Sequence, residues 1–357
     1  MPRTTVQVVQ HLRPGGIETL VLELQRHAAR DHAVHVVSLE GRAETALQAW
    51  PRLRPVADRL HFLDKPAGLQ PRCVLVLAAL LRRLGATAVH THHVGPLLYG
   101  GLAARLAGVR SLVHTEHDAW HLADPRRRRL QSAVLRLVRP QLVADAQLVR
   151  ARAERALPGR SFEVIANGID TQRFRPGNRA AARRQLGLPE AVRLVGCAAR
   201  LEAVKDHATL LEALAALPAG VHLALAGDGS LADELQRRAD ALGLAERVHF
   251  LGNLEEMPTF YRALDLFCLA SRQEGLPLSP LEAQACGIPC VLTDVGGCRE
   301  ALCPTSGRLV PPGDPAALAD ALARLLARPS TRTPRAFVLE HGDLTQMTRA
   351  YERLYAA

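Results

Sequence analysis

The chain has 357 residues, too many for one ordinary domain and enough for two of roughly 150 to 180 residues each. A hydrophobic content of 48% excludes a disordered chain, and the longest apolar run, Cys73 to Leu81, is far short of the ~20 residues that a membrane span needs. The formal net charge of +10 is uneven: residues 1–165 hold 24 Lys+Arg against 13 Asp+Glu, whereas residues 166–357 hold 21 against 22.

The opening MPRTTVQVVQHLRPGG lacks an apolar h-region and a small-residue cleavage site, so no secretory signal is expected. Apolar, β-branched runs predict strands at 5–10, 33–38, 87–91, 111–115, 141–145 and 162–166, with helices between them such as 17–30 and 96–107. DPRRRRLQSAVLRLVRP, residues 124 to 140, reads as a basic amphipathic helix, with Leu130, Val134, Leu137 and Val138 as its apolar neighbours. A basic first half implies an anionic partner, and Arg126 to Arg139 are the expected contact with an anionic membrane surface. Nucleic acid is not expected, because an aromatic content of 4% offers no stacking platform.

The strand–helix alternation restarts in the second half. Strands are predicted at 192–198, 221–226, 247–251, 265–269, 289–293 and 308–310, and helices at 207–217, 231–242, 256–263, 280–286 and 315–327. This order predicts an α/β protein of two doubly wound, Rossmann-like parallel-sheet domains facing a cleft. The expected domains are residues 1–170 and 171–342. A last helix, 343–357, presents Leu344, Met347, Tyr351 and Leu354 on one face. The seven cysteines form no C-x-x-C pair and no zinc pattern, so buried thiols in a reducing cytosol are expected.

Several strand ends carry chemistry. Pro14-Gly15-Gly16 lies between a strand and a helix, where glycine lets an anion approach helical N–H groups; an ordinary tight turn is the alternative. His90, His92, His93, His114 and His117 cluster at strand ends and suit hydrogen bonding better than a metal site. GDGSLA, residues 227–232, fits a dinucleotide fingerprint but lacks the following acidic residue, so it reads better as a turn with Ser230 as helix cap. Arg200 and Lys205 follow a buried strand and can converge on a diphosphate. Only Lys65 and Lys205 among the 45 basic residues are lysine, which hints that this turn needs a compact point charge.

EGLPLSPLEAQACGIP, residues 274–289, allows two readings. Ser279-Pro280-Leu281-Glu282 is a capping box with Pro at the first helical position, in which Glu282 only bonds back to the Ser279 backbone. Alternatively, Glu274 and Glu282 flank a Gly-Pro loop at a helix N-terminus, one accepting ribose hydroxyls and the other hexose hydroxyls, with phosphate between them.

The order GGIE (15–18), HTEHD (114–118), NGID (167–170), ARLEAVKD (199–206), GDG (227–229), FLGN (250–253) and the 274–289 stretch resembles family 4 of the retaining glycosyltransferases, of the GT-B fold. The resemblance runs from about residue 8 to residue 327, and Glu274 and Glu282 match the family's E-x7-E signature. HTEHD is similar to members that build bacterial exopolysaccharides. The resemblance implies transfer of a hexose from a UDP-sugar or GDP-sugar to a lipid-linked or saccharide acceptor, without a metal or other cofactor. It implies an acceptor-binding first domain, a donor-binding second domain and a final helix crossing back to the first. It assigns Arg200 and Lys205 to the donor diphosphate, Glu282 to the ribose, and Glu274 and His117 to the transferred sugar. Gly15 and Gly16 would approach the phosphates, the backbone of Leu254 would face the base, and Gly275, Leu278 and Ser279 would present backbone to the phosphate. One departure concerns the acceptor side: where the family often carries Val-Ser-Glu, this chain has Asp145-Ala146-Gln147. A nucleotide-sugar epimerase on the same fold and a non-catalytic sugar-nucleotide-binding module are the alternatives. A cytoplasmic protein, peripheral on the inner face of the membrane, is expected.

Overall fold

A computed structural model describes residues 3–327 and 334–356. The chain divides into two compact units, one of residues 1–167 with 344–357 and one of residues 168–343.

The first unit is built on a seven-stranded, wholly parallel sheet in the order β3-β2-β1-β4-β5-β6-β7. Its strands are β1 (Arg3–Val9), β2 (His32–Ser38), β3 (Leu60–Phe62), β4 (Ala88–His92), β5 (Ser111–Glu116), β6 (Gln141–Ala144) and β7 (Glu163–Val164). β1, β4 and β5 are buried along nearly their whole length, as strands covered on both faces must be. β3 is the strand the sequence did not predict, because LHF is too short to stand out as an apolar run.

The final helix, Leu344–Ala356, packs onto this sheet, and Ala357 lies outside the described residues. Leu344, Met347, Tyr351 and Tyr355 join Leu20, Val113 and Val143 in one core cluster, with Leu354 only partly buried beside them. Full burial of side chains this large contributes about 1.5–3 kcal/mol each. The two buried tyrosines also find polar partners: Tyr351 Oη lies 3.1 Å from Thr115 Oγ1, and Tyr355 Oη accepts from Gln7 Nε2 at 3.0 Å.

The helix Pro125–Val138 starts at Asp124, whose carboxylate accepts from the Arg126 N–H at 2.8 Å. Its faces differ from the expected stripe. Gln131, Val134, Leu135 and Val138 point inward, while Leu130 and Leu137 are exposed. The reason is the 3.6-residue period: 131, 134, 135 and 138 share one side, and 130 and 137 fall outside it.

The second unit has a six-stranded parallel sheet in the order β10-β9-β8-β11-β12-β13. Its strands are β8 (Arg193–Ala198), β9 (Val221–Ala226), β10 (Val248–Phe250), β11 (Leu266–Leu269), β12 (Cys290–Thr293) and β13 (Arg308–Val310). In both sheets the strand order reverses direction, between β1 and β4 and between β8 and β11. Such switch points open crevices at the C-terminal strand ends.

Candidate functional site

The loops leaving β8, β11 and β12 of the second unit hold the most tightly built polar group. Lys205 closes a single 3-10 turn, Ala203–Lys205, and its Nζ lies 2.6 Å from Glu274 Oε1. Ser271 Oγ donates to the same oxygen at 2.6 Å. The Lys205 side chain is 18% exposed and that of Glu274 8%, so the pair is largely withdrawn from water, where charge-assisted bonds are strong.

The loop around Glu274 is fixed from β12. Thr293 Oγ1 donates to the Ser271 carbonyl at 2.6 Å, and the Gly297 N–H donates to the Gly275 carbonyl at 2.7 Å. Gly296, at φ +54°, passes so close that a Cβ there would lie 1.8 Å from the Glu274 carbonyl oxygen. Only glycine meets both demands.

The capping-box reading of residues 279–282 is corrected. The helix begins earlier, as Leu278–Ala285, and its cap is Pro277 (φ −72°, ψ 133°), with no side-chain cap bond. Pro277 sets the chain direction into the helix, so Ser279 falls inside the first turn instead of before it. Leu278 and Ser279 thus supply first-turn N–H groups without a side-chain acceptor at the cap, as an anion site requires. Glu282, half-buried one turn later, accepts a hydrogen bond on Oε2 from Tyr261 Oη at 2.5 Å. Burial, and then the Glu282 charge, push the Tyr261 hydroxyl well above its usual range, so it stays a proton donor.

Arg200 is exposed at the end of β8. The loops after β8 and β9 are laced together beside it. The Leu201 N–H donates to the Asp228 carbonyl at 3.0 Å, and a Cβ on Gly227 or Gly229 would lie 2.1 Å from Ala199 O or 2.5 Å from Leu201 O. The GDG glycines therefore serve a close loop–loop approach. Ser230 is not the helix cap that its position predicted: the helix is Ala232–Ala241, and Ser230 Oγ donates to Glu202 Oε2 at 2.8 Å. Leu254 is half-buried in the loop after β10, which is tied in by the Gly227 N–H to the Gly252 carbonyl at 2.8 Å.

In the first unit, Gly15 is the extended N-cap of the helix Gly16–Arg26, and a Cβ at Gly16 would meet nothing within 4 Å. The backbone there is open to approach. His117 follows β5, and its Nε2 lies 2.9 Å from His92 Nδ1, while His92 Nε2 lies 2.9 Å from Gln7 Oε1. On its other side, His117 Nδ1 lies 3.3 Å from Asp145 Oδ2, which also accepts from Asn167 Nδ2 at 3.1 Å. The side chain of Asp145, where the motif departs from the family, is therefore a neighbour of His117. Burial pushes the His90 and His92 imidazoles well below their usual range, so both are neutral.

A second polar cluster lies beside this one. Glu116 Oε1 is 3.0 Å from His114 Nε2 and accepts from Gln131 Nε2; His121 reaches Asp118 Oδ1 at 3.1 Å and Gln131 Oε1 at 2.9 Å. Burial raises the Glu116 carboxyl, but the bond to His114 and the surrounding imidazoles outweigh it and bring it to about 2. Burial disfavours the His121 cation, yet its bond to Asp118 and the Glu116 charge lift it to about 9.

Each unit thus gathers its own candidates at C-terminal strand ends. Sequence reasoning missed Tyr261, Ser271, Gly296, Gln7 and His121. No motif contains them, and the partners of Tyr261, Gly296 and Gln7 lie more than 20 residues away in the chain.

The chain matches two family models: Glycosyltransferase Family 4 over residues 14–173 and Glycosyl transferases group 1 over residues 178–336. It is 31% identical over 309 residues to EpsF of Bacillus subtilis, a glycosyltransferase by name, covering 82% of this chain and 79% of that one. It is 41% identical over 183 residues to the D-inositol 3-phosphate glycosyltransferase of Mycolicibacterium gilvum, covering 49% of this chain and 41% of the other. Among solved structures it is similar to Anabaena HepE in complex with UDP-glucose, with a TM-score of 0.84 at 24% identity, over 99% of this chain and 100% of that one.

Proposed function

Because this chain belongs to glycosyltransferase family 4, and is a glycosyltransferase of the GT-B fold, we propose that it moves a hexose from a UDP-sugar or GDP-sugar to a lipid-linked or polysaccharide acceptor, as in exopolysaccharide assembly. In this reading the anomeric configuration is retained and no metal ion or other cofactor takes part. Arg200 and Lys205 bind the donor diphosphate with the N–H groups of Leu278 and Ser279, and Gly275 leaves room for it. Glu282 holds the ribose hydroxyls, Glu274 and His117 hold those of the hexose, the Leu254 backbone faces the base, and Gly15 and Gly16 let phosphate approach. The bond between the anomeric carbon and the diphosphate oxygen breaks. The acceptor oxygen attacks from the same face, and its proton passes to the departing diphosphate oxygen. Fixed cations and N–H groups aimed at that developing charge are worth roughly 3–4 kcal/mol per donor. The enzyme would work in the cytoplasm, and Arg126 to Arg139 would hold it to the inner membrane face.

The observation that carries this reading is the Lys205–Glu274 pair. A cation suited to a diphosphate and a carboxylate suited to sugar hydroxyls are fixed 2.6 Å apart, next to the start of the helix Leu278–Ala285. The UDP-glucose complex of HepE supports a nucleotide-sugar donor.

The test is thermal stabilisation by UDP-, GDP- and ADP-sugars, on the wild type and on Glu282→Ala. A donor at about 100 times its dissociation constant adds about 2.7 kcal/mol. One sugar nucleotide should stabilise the wild type and lose its effect in the variant. No stabilisation by any of them would overturn the donor assignment. Conversion of the sugar nucleotide to its epimer without an acceptor would replace transfer by epimerisation.

A further inference from the structure

Three of the helices on one face of the first unit's sheet are Pro71–Arg83, Leu102–Ala107 and Pro125–Val138. They belong to the connections β3 to β4, β4 to β5 and β5 to β6. These all step in the same direction across the sheet, so right-handed crossovers put them on one side. Arginines stitch them together. Arg82 donates to the Leu106 carbonyl, while Arg105 donates from Nε to the Val138 carbonyl at 2.6 Å and from Nη2 to the Arg139 carbonyl at 2.9 Å. Gly101 lets the middle helix close on the third: a Cβ there would lie 3.2 Å from Val138 Cγ2.

The outward side of this layer is unlike the rest of the surface. Among the described residues, five of the nine exposed large hydrophobics lie on these three helices: Leu75, Val76, Leu106, Leu130 and Leu137, between 44% and 68% exposed. Arginines flank them at helical spacing, Arg72 and Arg83 around Leu75 and Val76, and Arg126 and Arg127 one turn before Leu130. From residue 65 to residue 140 the chain holds twelve Lys+Arg and three Asp+Glu. Glu116 and Asp118 are buried, which leaves Asp124, already capping a helix, as the exposed carboxylate of that stretch.

We propose that this three-helix face as a whole, and not the helix Pro125–Val138 alone, docks on an anionic lipid bilayer. Its leucines enter the headgroup boundary while its arginines pair with lipid phosphates. Charge complementarity selects an anionic partner, and interleaved, solvent-facing leucines select a lipid surface. Nucleic acid would engage the arginines and leave the leucines in water. A second copy of the chain would set arginine against arginine. The inference rests on the membrane attachment proposed above, relocates its surface, and is independent of the donor chemistry.

The test is sedimentation of the full chain with vesicles of phosphatidylcholine, alone or mixed with phosphatidylglycerol, at low and high salt. The expected result is binding to the anionic vesicles only, released by salt. Arg72→Gln with Arg83→Gln lowers partitioning about 25-fold, at about fivefold per arginine. Leu75→Ser with Val76→Ser weakens it as strongly as Leu130→Ser with Leu137→Ser. Unchanged thermal unfolding shows that the variants are folded, and stabilisation by a UDP-sugar, read separately, reports on the donor assignment alone. Wild-type binding by the folded Leu75 and Arg72 variants, equal binding to neutral vesicles, insensitivity to salt, or retention on duplex DNA without vesicle binding would each overturn the proposal.

Discussion

Lys205 Nζ and Glu274 Oε1 lie 2.6 Å apart, and Ser271 Oγ shares that oxygen. The only lysine of the second unit and the first carboxylate of the E-x7-E signature therefore act as one group. A diphosphate drawn to Lys205 arrives beside the carboxylate proposed to hold the hexose.

Two separable effects follow for variants of this pair. Lys205→Ala should lower kcat/KM about 100-fold or more, by removing a charge aimed at the leaving group. It should also destabilise the fold by about 1–3 kcal/mol, because Glu274 loses its charged partner in a largely dry setting. Lys205→Ala with Glu274→Gln should recover stability in urea unfolding but not activity. Lys205→Arg should recover little turnover, since a planar fork does not replace a compact ammonium. A folded double variant with full activity would remove both residues from the mechanism.

Tyr261 is a positioning residue for Glu282. Its hydroxyl donates to Oε2 at 2.5 Å from a fully buried ring, fixing the rotamer of the carboxylate proposed for the ribose. A hydrogen bond to a charged group is worth roughly 1.5–3 kcal/mol, so Tyr261→Phe should raise the KM for donor about tenfold or more. kcat should change little, because the ribose is remote from the reacting bond. A fall in kcat at unchanged KM would argue that Tyr261 acts elsewhere.

The sheets were legible because strands covered on both faces appear as continuous apolar runs. β8 and β9 carry RLVGCA and VHLALA, and no helical period competes with them. The helix Pro71–Arg83 was not legible for a related reason. Its outward face carries Leu75 and Val76, so the sequence shows an apolar block without a polar stripe. At the site, Arg200, Lys205, Glu274 and Glu282 stand in motifs. The groups that orient them do not: Tyr261 lies 21 residues from Glu282, and Thr293 and Gly296 fix the Glu274 loop from β12. The Ser-Pro-Leu-Glu box misled because cap signals are local, whereas Pro277 had already fixed the helix start.

Gly296 is the backbone counterpart of Ser271. Its φ of +54° and the 1.8 Å approach of any Cβ to the Glu274 carbonyl mean that Gly296→Ala must push the 274–275 segment away. The expected outcome is a folded protein with at least tenfold lower kcat and weakened donor stabilisation, roughly the loss of one oriented polar contact. Gly252→Ala, also at positive φ (+63°) but with nothing within 4 Å, serves as the control. It should share the backbone strain and spare the activity. Equal activity losses in the two would mean that strain alone, and not the position of Glu274, is responsible.

His121 should make stability fall at alkaline pH. Its imidazolium sits between Asp118 Oδ1, at 3.1 Å, and the Glu116 carboxylate, and these raise it from 6.5 to about 9 against the burial that opposes its charge. A group raised on folding stabilises fully below its unfolded value, near 6.5, and loses that contribution as pH rises through about 9. The thermal midpoint of the wild type should therefore drop between neutral pH and pH 9 to 10, the window set by that shift. His121→Gln keeps a bond to Gln131 or Asp118 but carries no proton to lose, so it should start less stable and lose less over the same window. Glu116 supplies the acid-side counterpart: lowered to about 2 on folding, it stabilises above its unfolded value and loses that contribution as pH falls through about 2. If wild type and His121→Gln lost stability in parallel above neutral pH, the imidazolium would not be what pins residues 117–124 between β5 and the helix Pro125–Val138.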